Sequence, residues 1–151
     1  MISPQVAVRP ILPSDEGGMA SIIRQVLDEF GVAREGSAFS DPSMSGLYGY
    51  YQAPRSAYWV LADGSGVWGG GGFAPLANGG TGVCELQKMY FKREVRGRGW
   101  GERILVLALE KARTFGFQEC YLETMPYMKS ARALYERYGF RYLDNPMGDT
   151  G

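Results

Sequence analysis

Val95-Arg96-Gly97-Arg98-Gly99-Trp100-Gly101 stands between a run of β-formers, Val83 to Phe91, and an apolar stripe with helical spacing, Leu105, Ala108, Leu109 and Ala112. The glycines therefore mark a strand-to-helix turn. A helix start gathers backbone N–H groups that have no intrahelical acceptor and adds the positive end of the helix dipole, so an anion such as a pyrophosphate fits there. Glycine at 97, 99 and 101 allows the positive φ and the close backbone approach that such a nest needs, while Arg96 and Arg98 supply charged partners. A tight turn flanked by solvated arginines would use the same residues. Two rival phosphate motifs do not fit. A dinucleotide-binding GxGxxG beginning at Gly97 needs glycine where Glu102 stands, and no Gly-Lys-Ser/Thr closes a P-loop.

Downstream, Gly116 ends the helix and Cys120 to Thr124 reads as a short strand. Ala131, Leu134, Tyr135 and Tyr138 repeat the helical spacing, Gly139 caps them, and Phe140 to Leu143 reads as a last strand. Upstream, Gln5 to Arg9 alternates as a strand, and Ser14 with Asp15 opens a helix carrying Met19, Ile22, Ile23, Val26 and Phe30, which Gly31 ends. Asp41-Pro42 signals a second helix that runs into Tyr48, Tyr50 and Tyr51. Ala57 to Ala62, Val67 to Pro75 and Val83 to Phe91, separated by Asp63-Gly64-Ser65-Gly66 and Asn78-Gly79-Gly80, predict an antiparallel meander. Gly69 to Gly72 in its middle strand are bracketed by Val67, Trp68 and Phe73, which predicts a bulged strand closely approached by its neighbours. The order β-α-α-β-β-β-α-β-α-β predicts an α/β fold with a mixed, mostly antiparallel sheet and helices on its faces. A right-handed crossover makes the strands at Val83 and Cys120 parallel.

The 151 residues fit a single domain, residues 1–151, and the 16 basic residues balance the 16 acidic ones, which gives no global field toward nucleic acid or a membrane surface. Neither a signal core nor a membrane-length apolar run is visible, so a cytoplasmic location is the default expectation. Only Cys84 and Cys120 occur, without CxxC spacing, and read as buried free thiols. With no histidine at all, Ser-His-Asp and Cys-His catalysis and His-based zinc sites are excluded. No metal is expected. Proton transfer falls to carboxylates, tyrosines, lysines or water.

Glu85-Leu86-Gln87-Lys88-Met89-Tyr90-Phe91, Arg96-Gly97-Arg98-Gly99-Trp100-Gly101 and Ala133-Leu134-Tyr135-Glu136-Arg137-Tyr138-Gly139-Phe140 together resemble the GNAT superfamily of acyl-CoA-dependent N-acetyltransferases. In that family an R/Q-x-x-G-x-G/A loop binds the cofactor, and Arg96, Gly99 and Gly101 fill its fixed positions. The resemblance implies acetyl-CoA as co-substrate and a sheet splayed between the fourth and fifth strands. It implies that the backbone at Met89, Tyr90 and Phe91 pairs with the pantetheine arm and that N–H groups from Gly97 to Gly101, those of Arg98 and Trp100 included, take the pyrophosphate. Tyr135 would lie near the cofactor sulfur. Two positions depart from the pattern. Met128 stands where an asparagine is frequent, and the sheet's usual further strand after Phe140 has no counterpart before Gly151. A fold that closes short, a truncated chain, or an edge supplied by a partner, as in a homodimer, would each account for the second.

Amine acetylation needs a neutral nucleophile, a stabilised oxyanion and a protonated leaving thiolate. Glu85 is the first candidate for general base and Glu123 the second, while an ion pair with a surface cation would explain either carboxylate equally well. A backbone N–H near Met89 or Tyr90 would serve the oxyanion. Tyr135 is the candidate acid, though its place on an apolar stripe also suits core packing. Tyr48, Tyr50, Tyr51 and Tyr127 are candidate walls for the acceptor, and Arg34 or Arg55 would meet an acceptor carboxylate. Neutral net charge favours a small-molecule amine or amino acid over a protein N-terminus or lysine. A non-catalytic acyl-CoA-binding module and a generic nucleotide-binding domain are the alternatives from other classes.

Overall fold

The structure, a computed structural model, describes residues 5–31, 42–124 and 129–148. Five strands form one sheet in the order β1-β2-β3-β4-β5: β1 Ala7–Pro10, β2 Ala57–Asp63, β3 Gly66–Pro75, β4 Val83–Phe91 and β5 Glu119–Tyr121. The first four are antiparallel to their neighbours, and β4 and β5 run parallel, as the crossover requires.

Helices cover both faces. Helix α1, Glu16–Glu29, and the single turn α2, Leu47–Tyr50, pack Met19, Ile22, Ile23, Val26, Leu27 and Leu47 against Tyr58, Val60 and Ala74 of the sheet. On the opposite face, α3, Trp100–Thr114, and α4, Lys129–Arg137, bury Leu105, Ala108, Ala112 and Tyr135 with Phe73, Cys84 and Leu86. Gly31, Gly116 and Gly139, read as helix stops, all adopt positive φ. Among the described residues no helix is long and apolar enough to cross a membrane.

Glycines 69 to 72 of β3 are occupied on both faces. A Cβ on Gly69 would lie 2.3 Å from the Phe91 ring, and one on Gly71 would lie 2.4 Å from Met89 Sδ on the α3 face. On the α1 face, Gly70 lies against Tyr58 and Met19, and Gly72 against Tyr58 and the Ala57 carbonyl. The register shifts between Gly70 and Gly72, which pair with Tyr90 and Gln87, so β4 carries one residue more than β3 over this stretch. Lys88, with φ of 50°, takes up the bulge.

Three expectations are corrected. The second helix start does not hold as read: Asp41 lies outside the described residues, Pro42–Ser45 forms a 3-10 turn, and the α-helix begins at Leu47. The fifth strand stops at Tyr121 instead of reaching Thr124. No strand forms at 140–143. There the Phe140 N–H donates to the Tyr135 carbonyl at 3.1 Å, and the Tyr142 hydroxyl is bound by Arg132 and Glu136, so this segment turns back onto α4.

Candidate active site

Strand β4 is paired to β5 over only three residues, Val83 with Glu119, Cys84 with Cys120 and Glu85 with Tyr121. Beyond Glu85 the ladder ends, leaving the outer side of residues 86–91 without a strand partner among the described residues. This wedge is the expected splay. The two cysteines, far apart in sequence, are register partners at its closed end, and both are free thiols.

At the open end, β4 runs through a short 3-10 turn, Arg93–Val95, into the glycine loop. Gly97 and Gly99 have φ of 75° and 87°, with open space where a Cβ would stand, so conformation rather than crowding selects glycine at both. Gly101 differs: it is helical, and a Cβ there would make ordinary contacts at 3.6 Å to Phe91 and 3.9 Å to Leu134. Gly99 is the N-cap of α3, and the Arg103 N–H to Gly99 carbonyl bond of 3.1 Å closes its first turn. The N–H groups of residues 100–102 thus precede the helical ladder and point out of the helix start. Trp100 packs with Leu61, Trp68, Val95 and Phe91 and seats that turn on the sheet.

Arg98 is exposed, whereas Arg96 is engaged within the protein. Its Nε donates to the Phe91 carbonyl at 2.9 Å, and its two terminal nitrogens grip Glu29 of α1 at 2.8 Å each. The guanidinium lies 5.8 Å from the Phe30 ring centroid. Arg96 therefore pins the loop onto α1, and its hydrogen bond and charge hold the Glu29 carboxyl down at about 2. This staple joins residues with no local pattern between them, and sequence reading missed Glu29.

Tyr135 is 7% exposed, and its ring meets Phe140 edge-on at 5.6 Å. Helix α4 is fixed to the start of α3 by Tyr138 and Arg137, both bound to Glu102. Burial pushes the Tyr135 phenol well above the usual tyrosine value, with Tyr90 and Cys120 adding to the effect. Core packing and a protonated hydroxyl near the wedge thus coexist in one side chain. Met89 faces α3, Tyr90 faces α1, and Phe91 closes over Gly69.

On the α1 face of β4, Glu85 is 3% exposed. The Tyr51 hydroxyl donates to Gln87 Oε1 at 2.8 Å, and Gln87 Nε2 donates to Glu85 Oε1 at 2.7 Å. A buried relay therefore orients the carboxylate. Glu123 is exposed, just past β5, and accepts the Tyr121 hydroxyl at 2.8 Å. Of the expected acceptor walls, Tyr51 is buried behind Gln87, Tyr48 packs on the α1 core and Tyr50 is 42% exposed. Arg55 stacks 3.9 Å over Phe117 and bonds the Phe115 carbonyl. Arg34, Tyr127 and Met128 lie outside the described residues. A separate cleft of about 500 Å³, between the start of β2 and the second half of α3, contains none of residues 85–101.

A β4–β5 wedge, a glycine loop at the start of α3 and a tyrosine of α4 in one constellation are the parts that define an acetyltransferase of the GNAT class. The chain belongs to the Acetyltransferase (GNAT) family, whose sequence model matches residues 21–140, and it is an acyltransferase. It is 44% identical to Uncharacterized N-acetyltransferase YjgM of Escherichia coli K12 over 99% of this chain and 91% of that protein. In structure it is similar to a GNAT-family acetyltransferase of Staphylococcus aureus Mu50, with a TM-score of 0.79 at 19% identity, covering 93% of this chain and 89% of that one. A Clostridium acetobutylicum acetyltransferase solved with acetyl-CoA gives a TM-score of 0.70 at 18% identity, covering 97% and 96%.

Proposed function

We propose that this chain moves an acetyl group from acetyl-CoA to the primary amine of a small molecule or amino acid by direct attack in a ternary complex. The observation that carries the reading is the wedge: among the described residues the pairing of β4 with β5 ends after Glu85, and β4 leads straight into an anion-ready helix start. Residues 89–91 offer backbone groups to a pantetheine arm as a missing strand would, and residues 97–101, with the N–H groups at the head of α3, take the pyrophosphate. Arg96 contributes by holding the loop in place, and Arg98 by its charge. Among the described residues no group of three His, Cys, Asp or Glu side chains is placed to hold a metal ion.

Glu85 takes the proton from the incoming ammonium, directly or through a water, with Gln87 holding its orientation. The bulge turns backbone donors near Met89 and Tyr90 toward the thioester oxygen as it gains charge. The Lys88 carbonyl on that bulge is held by the Tyr58 hydroxyl at 2.7 Å, which keeps the local geometry rigid. Tyr135 stays protonated across the neutral range and donates to the departing sulfur. Because its phenol is harder to ionise than an ordinary tyrosine, hydrogen bonding to the sulfur precedes full proton transfer.

Calorimetry with acetyl-CoA, desulfo-CoA and ATP tests the cofactor half: binding of ATP without CoA overturns it. Thiol release from acetyl-CoA across a panel of amines tests the transfer half. Binding without release on any amine leaves an acyl-CoA-binding module.

A further inference from the structure

Lys88 is the residue at the bulge of β4, and nothing in the proposed chemistry uses its side chain. Its backbone sits at φ of 50°, a region glycine occupies freely and lysine does not. The residue is 6% exposed, an unusual place for an ammonium-bearing side chain. Its Nζ lies 6.0 Å from the ring centroid of Tyr50, which belongs to α2 and is partly open to solvent. The Lys88 carbonyl is bound by Tyr58, a residue of the α1-face core, and Gln87 beside it bonds Tyr51 of that face. The bulge therefore sends the lysine toward the same face as Glu85. Strand geometry separates the Cα atoms of Glu85 and Lys88 by at most about 10 Å. A carboxylate and a cation thus flank the point where the ladder opens, backed by three tyrosines at positions 50, 51 and 58.

We propose that Lys88 reads an anionic group, a carboxylate or its equivalent, carried by the amine acceptor. The acceptor is then zwitterionic: its ammonium meets Glu85 and its anion meets Lys88 through charge-assisted hydrogen bonds. This rests on the acetyltransferase reading. Lysine at a position suited to glycine is explained by the charge it delivers next to the reacting centre.

The test uses matched acceptors, an α-amino acid and its C-terminal amide, with thiol release from acetyl-CoA as the readout. The wild-type protein is expected to prefer the carboxylate member by at least about tenfold in kcat/KM. Lys88→Met brings the ratio close to one through the acceptor KM, leaves the KM for acetyl-CoA unchanged, and Lys88→Arg restores part of the preference. Lys88→Gly, which suits the positive φ, gives the same loss of preference in a variant that relieves the backbone and so guards against misfolding. A wild-type protein indifferent to the carboxylate, a Lys88→Met variant that keeps the ratio, or equal loss on both acceptors overturns the proposal. If no amine at all is acetylated, the acetyltransferase reading fails first. Calorimetry of the same acceptor pair on the CoA-loaded protein then decides the role of Lys88, and equal affinities for acid and amide overturn it.

Discussion

Tyr135 and Glu29 show how single side chains divide the labour at this site. Tyr135 is packed by its ring and retains its proton through burial, so its removal should touch chemistry more than binding. Tyr135→Phe is expected to lower turnover by about 10²-fold, the usual scale for a lost general acid, with CoA affinity changed less than about threefold. Thiol-release kinetics and calorimetry check the two halves, and unchanged turnover would reduce Tyr135 to a packing residue. Glu29 is held by Arg96 and Arg93 where α1 meets the glycine loop. Arg96 holds its carboxyl down to about 2, against an ordinary value of 4.5, so the folded form keeps its charge at pH values where the unfolded chain is already protonated. The stabilisation from this pair is complete above about 4.5 and is lost as pH falls toward 2. Glu29→Gln should therefore lose stability less steeply than the wild-type protein between those values in urea titrations. Parallel curves would show that the staple contributes nothing measurable, as many exposed pairs do.

Among the elements, the loop and its two kinds of glycine give the sharpest contrast. Gly99→Ala forces a Cβ into φ of 87° and is expected to cost about 1–2 kcal/mol in unfolding free energy while displacing the N–H groups ahead of α3. Gly101→Ala meets only ordinary contacts inside the helix and should be neutral or gain up to about 1 kcal/mol. CoA affinity should fall in the first and hold in the second. Equal behaviour of both would mean that the loop does not act through its backbone. Sequence periodicity located β4 and the start of α3 correctly because alternation, helical spacing and glycine stops all agree there. It missed the 3-10 turn at Pro42–Ser45, since an Asx-Pro start signals either kind of helix. It misread 140–143 because β-propensity describes the residues and not whether a neighbouring strand is present; Tyr142 instead finds its partners on α4. The bulge expected in the middle strand at Gly69 to Gly72 has its extra residue in β4 instead, with the positive φ on Lys88 and the glycines on the opposite strand.

For the molecule as a whole, the wedge makes a statement about dynamics. Amides of residues 87–91 on the side facing away from β3 have no ladder partner among the described residues, so hydrogen exchange there should be fast in the free protein and slow when CoA is added, with little change in β1 or β2. Uniform protection across the sheet would indicate general stabilisation by ligand and no strand-like pairing in the wedge. The candidate site was legible in the sequence where it is built from one continuous segment, Met89 through Gly101. It was not legible where distant parts converge: Arg96 reaches Glu29 across 67 positions, and Tyr51 reaches Gln87 across 36. Those links depend on how α1 and α2 lie on the sheet, which spacing alone does not determine.

The extra residue in β4 has one more consequence, for how this segment tolerates change in length. A strand assigns its side chains to faces by counting in twos, and the bulge resets the count between Gln87 and Met89. Met89 and Phe91 therefore project to the α3 side and Tyr90 to the α1 side only because an odd residue intervenes. Losing one residue here would exchange the two sides for everything downstream, driving Tyr90 toward the α3 core and Met89 and Phe91 out of the hollows that Gly71 and Gly69 leave for them. Substitutions in this stretch alter a contact, but a deletion alters its parity, so its length is the more tightly constrained of the two.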